Sequence, residues 1–241
     1  FFHHVQDVLN AYGTIDEPTL QFEQGRAFLQ GRMLRQGLIY MTRVAELEPN
    51  NYSARVVLAD IYTSLDRPKQ ALEIINQVRA NAAAFNLNVT NEFELARCEA
   101  SALFRDNQKD AAAKLLGEML KKPAAPKLFK VAASQLYLQN NMHAEAVPVL
   151  DNLLTSEPDE VMALANRGFA LLQLKRDNEA ITSLNRAIEL DPKNLVARVN
   201  RGLALNRTKQ FDSALEDWEL VVKEHPNSYQ ILAGLAEASA G

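Results

Sequence analysis

The sequence predicts an all-α protein made of tandem helix pairs, and three observations carry that prediction. Prolines recur 34 residues apart, at Pro158, Pro192 and Pro226. Small residues keep the same step through Gly37 and Ala71, then Ala112, Ala146, Ala180 and Ala214, with one longer step of 41 between Ala71 and Ala112. Strand signals are missing, since no β-branched run alternates with polar residues. A fixed period of this length marks a chain built from stacked copies of one small motif.

The text repeats along with the spacing: ANRGFALLQLKRDNEAITSLNRAIELDP is followed by VNRGLALNRTKQFDSALEDWELVVKEHP. Pro49 lies 109 residues before Pro158, three periods plus seven, which places one seven-residue insertion between the second and third copies. Six repeats follow, at 18–51, 52–85, 93–126, 127–160, 161–194 and 195–228, with the insertion at 86–92 in the stretch AFNLNVTNE.

Taken in order, the elements begin with residues 1–17. Phe1, Val5, Val8 and Tyr12 fall on one helical stripe with Phe2 and Leu9 beside it, and Gly13 ends it. This segment is out of register with the repeat and is expected to be a capping helix. Each repeat then reads as two helices. In the fifth, Leu164, Gly168, Leu171 and Leu174 share one face, and Ala180, Leu184, Ala187 and Ile188 share another. Between them KRDNEA supplies an Asp/Asn start signal for the second helix. The repeat closes with LDPKN, where Pro192 stops one helix and presets the next. The last segment, 229–241, reads as a capping helix or as the opening helix of a seventh repeat.

The pattern resembles the tetratricopeptide repeat (TPR) family over 18–228. The family's small residue in the first helix corresponds to Gly25, Ala59, Ala100, Ser134, Gly168 and Gly202, and its bulky residue to Phe28, Tyr62, Leu103, Tyr137, Leu171 and Leu205. In the second helix the small series above is followed by Met41, Ile75, Leu116, Leu150, Leu184 and Trp218. Small residues let paired helices approach, and large ones fill the space alongside. Four repeats depart from the pattern, with Gln24, Glu99, Arg167 and Arg201 where the family usually has Leu.

A helix pair cannot bury its apolar face alone, so neighbouring repeats stack into a solenoid. The resemblance implies a right-handed superhelix whose concave groove is lined by the first helices. By that register the groove includes Leu128, Val131, Gln135 and Leu138, then Met162, Ala165, Phe169 and Leu172, then Val196, Val199, Leu203 and Asn206. Nearer the start the same positions hold Phe22, Arg26, Asp60, Thr63, Arg97, Ser101 and Arg105, so the groove is polar at one end and apolar at the other. Asn166 and Asn200 occupy one place in adjacent repeats, where the family uses an amide to hold the backbone of an extended peptide; local helix bonding is the other reading. The Lys/Asn/Arg cluster of the heat-shock-protein-tail type is absent, because the matching positions are Val131, Ala165, Phe169 and Val199. The expected peptide-binding set is therefore Leu128, Val131, Met162, Asn166, Phe169, Leu172, Val199, Asn200, Leu203 and Arg207.

Composition and chemistry narrow the function classes. With 26 Lys+Arg against 30 Asp+Glu, the chain lacks the basic excess of a nucleic-acid binder. No apolar run approaches the roughly 18 residues a membrane helix needs. One cysteine, Cys98, makes no disulfide framework, and with Glu94 and Glu99 nearby it reads as an inert thiol. His3, His4, His143 and His225 show no metal-ligand spacing, and no phosphate loop or nucleophile elbow is present. The carboxylates in EDWEL and SEPDE read as solvated surface charge. No catalytic residue, metal or cofactor is expected.

The first residues lack a signal peptide's basic start and cleavage site, and the chain does not begin with Met, so it reads as a processed or excised piece. Cytoplasm and bacterial periplasm both suit its cysteine poverty. The leading functional expectation is a scaffold that binds a peptide or helix of a partner protein. The alternatives are a targeting arm of a larger enzyme, such as a glycosyltransferase, and a self-assembling scaffold that forms homo-oligomers.

Overall fold

The computed structural model describes residues 17–240; the expected capping helix over Phe1, Val5, Val8 and Tyr12 lies outside them. Among the described residues there are thirteen helices and no strand. They pair as α1 (Glu17–Gln30) with α2 (Leu34–Leu47), α3 (Tyr52–Ser64) with α4 (Pro68–Ala80), and α5 (Val89–Arg105) with α6 (Lys109–Leu120). Then come α7 (Lys127–Gln139) with α8 (His143–Ser156), α9 (Val161–Gln173) with α10 (Asp177–Leu190), α11 (Leu195–Arg207) with α12 (Phe211–Glu224), and finally α13 (Tyr229–Ala240). The chain forms two compact blocks, one ending at Lys122 and the other beginning at Pro123. Within each block every helix packs on the next. First helices also touch across repeats, α3 on α5 in one block, α9 on α11 and α11 on α13 in the other.

The pairing rests on the small and large positions read from the sequence. Ala71, Ala112, Ala146, Ala180 and Ala214 are fully buried, as are Met41, Leu116, Leu184 and Trp218. Each large side chain removed from water contributes about 1.5–3 kcal/mol. Glycine is required where the largest of them sits. A Cβ on Gly202 would stand 2.7 Å from the Trp218 ring, and one on Gly234 would stand 2.5 Å from it. The indole is thus held between α11 and α13 by two missing side chains.

The turn inside each pair differs from the expected Asp/Asn start signal. The second helix α10 follows Arg176, which provides no side-chain cap, and Asp177 and Asn178 lie inside the helix. The turn is built instead from the end of the first helix. Arg32, Asp66, Asn107, Asn141, Lys175 and Lys209 all adopt φ near +60°. The following N–H donates to the carbonyl of the bulky first-helix residue, as Met33 N to Phe28 O at 2.8 Å and Gln210 N to Leu205 O at 2.9 Å. This double-bonded helix end usually carries glycine, yet none of the six positions is glycine. Their spacing of 34, with 41 between Asp66 and Asn107, repeats the period of the sequence.

Side-chain caps appear at first helices. Asn51 and Asn194 accept from Ala54 N and Ala197 N, and Asn88 forms a reciprocal box with Asn91. Pro192 follows the end of α10 at Leu190, but α11 starts three residues later behind Asn194, so the proline stops a helix without starting one. Part of the inserted stretch is helical. After turns over 81–86, α5 starts at Val89, four residues ahead of the repeat register, and Tyr52 Oη donates to Asn91 O at 2.8 Å. Phe85 from the turn is buried with Ile75, Val78 and Leu95.

Candidate binding surface

The expected site residues fall in the C-terminal block, on α7, α9 and α11. Three residues at one register position project most: Leu128 is 82% exposed, Met162 59% and Val196 67%. The same position in the N-terminal block holds Thr19, Ser53 and Glu94. Deeper on the same helices Val131, Phe169, Val199 and Leu203 are half-buried. The Phe169 ring meets His143 edge-on at 5.5 Å between centroids. Burial lowers the His143 pKa, with Glu145 opposing the shift.

Two residues of the expected peptide-binding set lie inside the packing, as do Ala165 and Asn206 of the groove register. Leu172 is 2% exposed within the α9–α10–α11 core, and Asn200 is buried. Leu172 therefore offers little surface to a partner. Asn166 is half-buried, and neither its side chain nor that of Asn200 has a hydrogen-bond partner among the described residues. The local helix bonding open to them in sequence does not occur. Of the two amides, Asn166 is the one with accessible surface.

Arg207 is engaged within the block. It donates to Leu172 O at 3.0 Å and pairs with Asp177 at 3.2 Å, which ties the end of α11 to the preceding repeat. Asn206 turns inward and donates to Gly234 O at 2.8 Å and to Glu237 at 3.0 Å. Arg207 and Asn206 are thus both spent on internal ties.

The departures Arg167 and Arg201 have the same explanation. Arg167 donates to Asp151 at 2.5 Å in the preceding second helix and to Ser183 at 2.6 Å in its own. Arg201, one repeat on, donates to Asn185 at 2.8 Å and to both oxygens of Asp217, at 2.6 and 2.7 Å. Arg198 adds a third bond to Asp217 at 2.8 Å. Asp217 is fully buried, so the carboxylates of EDWEL are not all solvated surface charge. The network is not legible from the carboxylate's own neighbours in the chain. The signal was present in Arg167 and Arg201, two guanidiniums at a position where the family places Leu.

The polar end of the register lies in the N-terminal block, and its charges are also paired. Arg97 meets Asp60 at 2.6 Å, Arg105 meets Asp66 at 3.4 Å, and Arg26 meets Glu23 at 3.1 Å. Cys98 is buried beside the Arg97–Asp60 pair, and burial pushes its thiol pKa up. No group of three His, Cys, Asp or Glu among the described residues could hold a metal ion. No helix among them is long and apolar enough to cross a membrane.

The tetratricopeptide repeat family model matches residues 131–195 and 178–229. No curated protein sequence matches significantly. Among solved structures, PilW, a type IV pilus biogenesis factor, superposes with a TM-score of 0.71 at 14% identity, covering 92% of this chain and 100% of that one. PilF of Pseudomonas aeruginosa gives 0.66 at 15% identity, covering 92% and 97%. The Cut9–Hcn1 assembly of the APC/C gives 0.67 at 15% identity, covering 97% of this chain and 45% of that one. At these identities the likeness speaks to fold. The C-terminal repeats thus match the tetratricopeptide repeat family model, and the described helix pairs share the fold of tetratricopeptide repeat solenoids.

Proposed function

We propose that the chain is a non-catalytic scaffold whose C-terminal block holds an apolar peptide or helix of a partner protein across α7, α9 and α11. The observation that carries this reading is the row Leu128, Met162 and Val196, three exposed apolar side chains at one register position in consecutive repeats. Isolated exposed apolar residues need no explanation, but an aligned row is the kind of patch that marks an interaction surface. Burying each would contribute about 1.5–3 kcal/mol before the cost of association is subtracted. Val131, Phe169, Val199 and Leu203 form the floor, and the free amide of Asn166 is available to a partner backbone.

The likeness to a TPR protein described as having an unusual peptide-binding site, with a TM-score of 0.58 at 14% identity over 80% of this chain and 96% of that one, is compatible with this reading at the level of fold. The test is a pull-down from native extract comparing the chain with a Leu128→Glu, Met162→Glu, Val196→Glu variant, both checked for helicity by circular dichroism. These positions are exposed, so the variant should fold. A partner captured by the first and lost by the second supports the proposal. Equal capture by both refutes it.

A further inference from the structure

The apolar row has a second property, carried by the side chain at its centre. Of the chain's five methionines, Met41 and Met119 fill core positions, at 0% and 7% exposure, and Met142 is half-buried. Met33, in the turn before α2, is 50% exposed, and Met162 is 59% exposed. Met162 stands at the start of α9, which lies inside its block with α8 packed before it and α10 and α11 after it. Its exposure belongs to the register position, since Leu128 and Val196 project in the same way on either side.

Thioether chemistry separates Met162 from those two neighbours. Leucine and valine carry no group that a peroxide attacks, whereas an accessible thioether is oxidised to the sulfoxide, which is polar and chiral. Cys98, the single thiol, is 1% exposed, and burial keeps it protonated and unreactive. Asn166 stands one turn beyond Met162, half-buried and with its side-chain amide free. Residues four apart on a helix are neighbours, so a sulfoxide oxygen on Met162 can accept a hydrogen bond from that amide.

We infer that Met162 is a redox modification site: oxidation of its sulfur by a peroxide turns the apolar row off, and a thiol-dependent reductase turns it on again. The inference rests on the reading of the row as the partner surface. In the forward step a sulfur lone pair attacks one peroxide oxygen, an S–O bond forms and the O–O bond breaks. The leaving hydroxide takes the proton of the transferred oxygen and departs as water, so sulfur loses two electrons and the peroxide gains them. In the reverse step two thiols become a disulfide, and the sulfoxide oxygen leaves as water. Oxidation makes the centre of the row polar and also engages the Asn166 amide offered to a partner backbone. The fold is untouched, because the added oxygen projects from an exposed side chain.

The test treats the full chain with dilute hydrogen peroxide and maps the product by mass spectrometry of its peptides. Met33 and Met162 should be oxidised first, with Met41 and Met119 protected until the chain is unfolded in urea. Retention on phenyl-agarose then reads the apolar surface without a partner. Peroxide should cut the retention, methionine sulfoxide reductase with a thiol reductant should restore it, and circular dichroism should stay constant. Met162→Leu should show no change on treatment, whatever its starting retention, while Met33→Leu should respond as the wild type does. In the pull-down, treatment should weaken capture of the partner about tenfold, the effect of losing one buried apolar side chain. Met162→Leu should capture it equally before and after treatment.

A Met162 that stays reduced while Met33 is oxidised, retention indifferent to peroxide, or a loss that persists in Met162→Leu overturns the inference. The Leu128→Glu, Met162→Glu, Val196→Glu variant separates this failure from failure of the reading beneath it. If that variant is retained as strongly as the wild type, the row is not the apolar surface and both readings fall. If it elutes early while peroxide has no effect, only the redox site falls.

Discussion

Removing the Asp217 carboxylate should cost the C-terminal block more than any change on its surface. Asp217 is fully buried and accepts three hydrogen bonds from two guanidiniums whose side chains are only 13% and 18% exposed. Asp217→Ala leaves both arginines charged in the interior. Arg198 keeps its bonds to Pro192 O at 3.0 and 2.9 Å, and Arg201 keeps Asn185. Breaking a buried pair by deleting one partner costs about 3–5 kcal/mol, because the other charge stays desolvated. Some water can reach arginines this near the surface, so the lower half of that range is expected, about 3–4 kcal/mol.

Replacing both members should restore most of the loss. The double variant Asp217→Leu, Arg201→Leu puts the family's usual residue at 201 and removes the unpaired charge. The assay is urea unfolding followed by Trp218, the single tryptophan of the chain, which sits one residue away and reports on this block. The deficit of Asp217→Ala should persist in 1 M NaCl, since buried pairs are screened far less than exposed ones. A loss below about 1 kcal/mol, in the range of exposed pairs, would refute the argument that burial sets the size of the effect. Failure of the double variant to recover would refute the role assigned to the stranded charge.

Three further outcomes follow from the packing. Gly202→Ala should lower stability by about 1–3 kcal/mol through overpacking against Trp218, with a red shift of its emission; an unshifted spectrum at unchanged stability would show that the indole has room to move. Pro148 lies inside α8 at an exposed position, so Pro148→Ala should stabilise the block by about 1–2 kcal/mol, the recovered helix bond exceeding the lost chain stiffness, and a lower unfolding midpoint would contradict this. Burial depresses the His143 pKa, so the unfolded chain binds its proton more readily. Stability should therefore fall as pH drops below about 6.5, and His143→Gln should flatten that slope between pH 7 and 5.5; an identical slope in the variant would remove His143 as the cause.

What the sequence by itself determined is what each repeat states locally. The 34-residue period, the two helices per repeat and the small and large contact positions are written six times over, so one noisy copy does not hide them. Even the register of the six left-handed turn residues follows that period, although Lys175 and Lys209 would not be picked as such residues from their chemistry. Tertiary structure decided how the side chains at those positions are used. Leu172, Asn200 and Arg207 share the groove register with Met162 and Asn166, yet stacking buries the first two and ties down the third. Asp217 reads as a solvated carboxylate in the sequence, whereas Arg198 and Arg201 converge on it in the fold. Helix periodicity is a property of neighbours in the chain and can be read there. Exposure and charge pairing belong to neighbours in space, which a repeat acquires only when the next one packs against it.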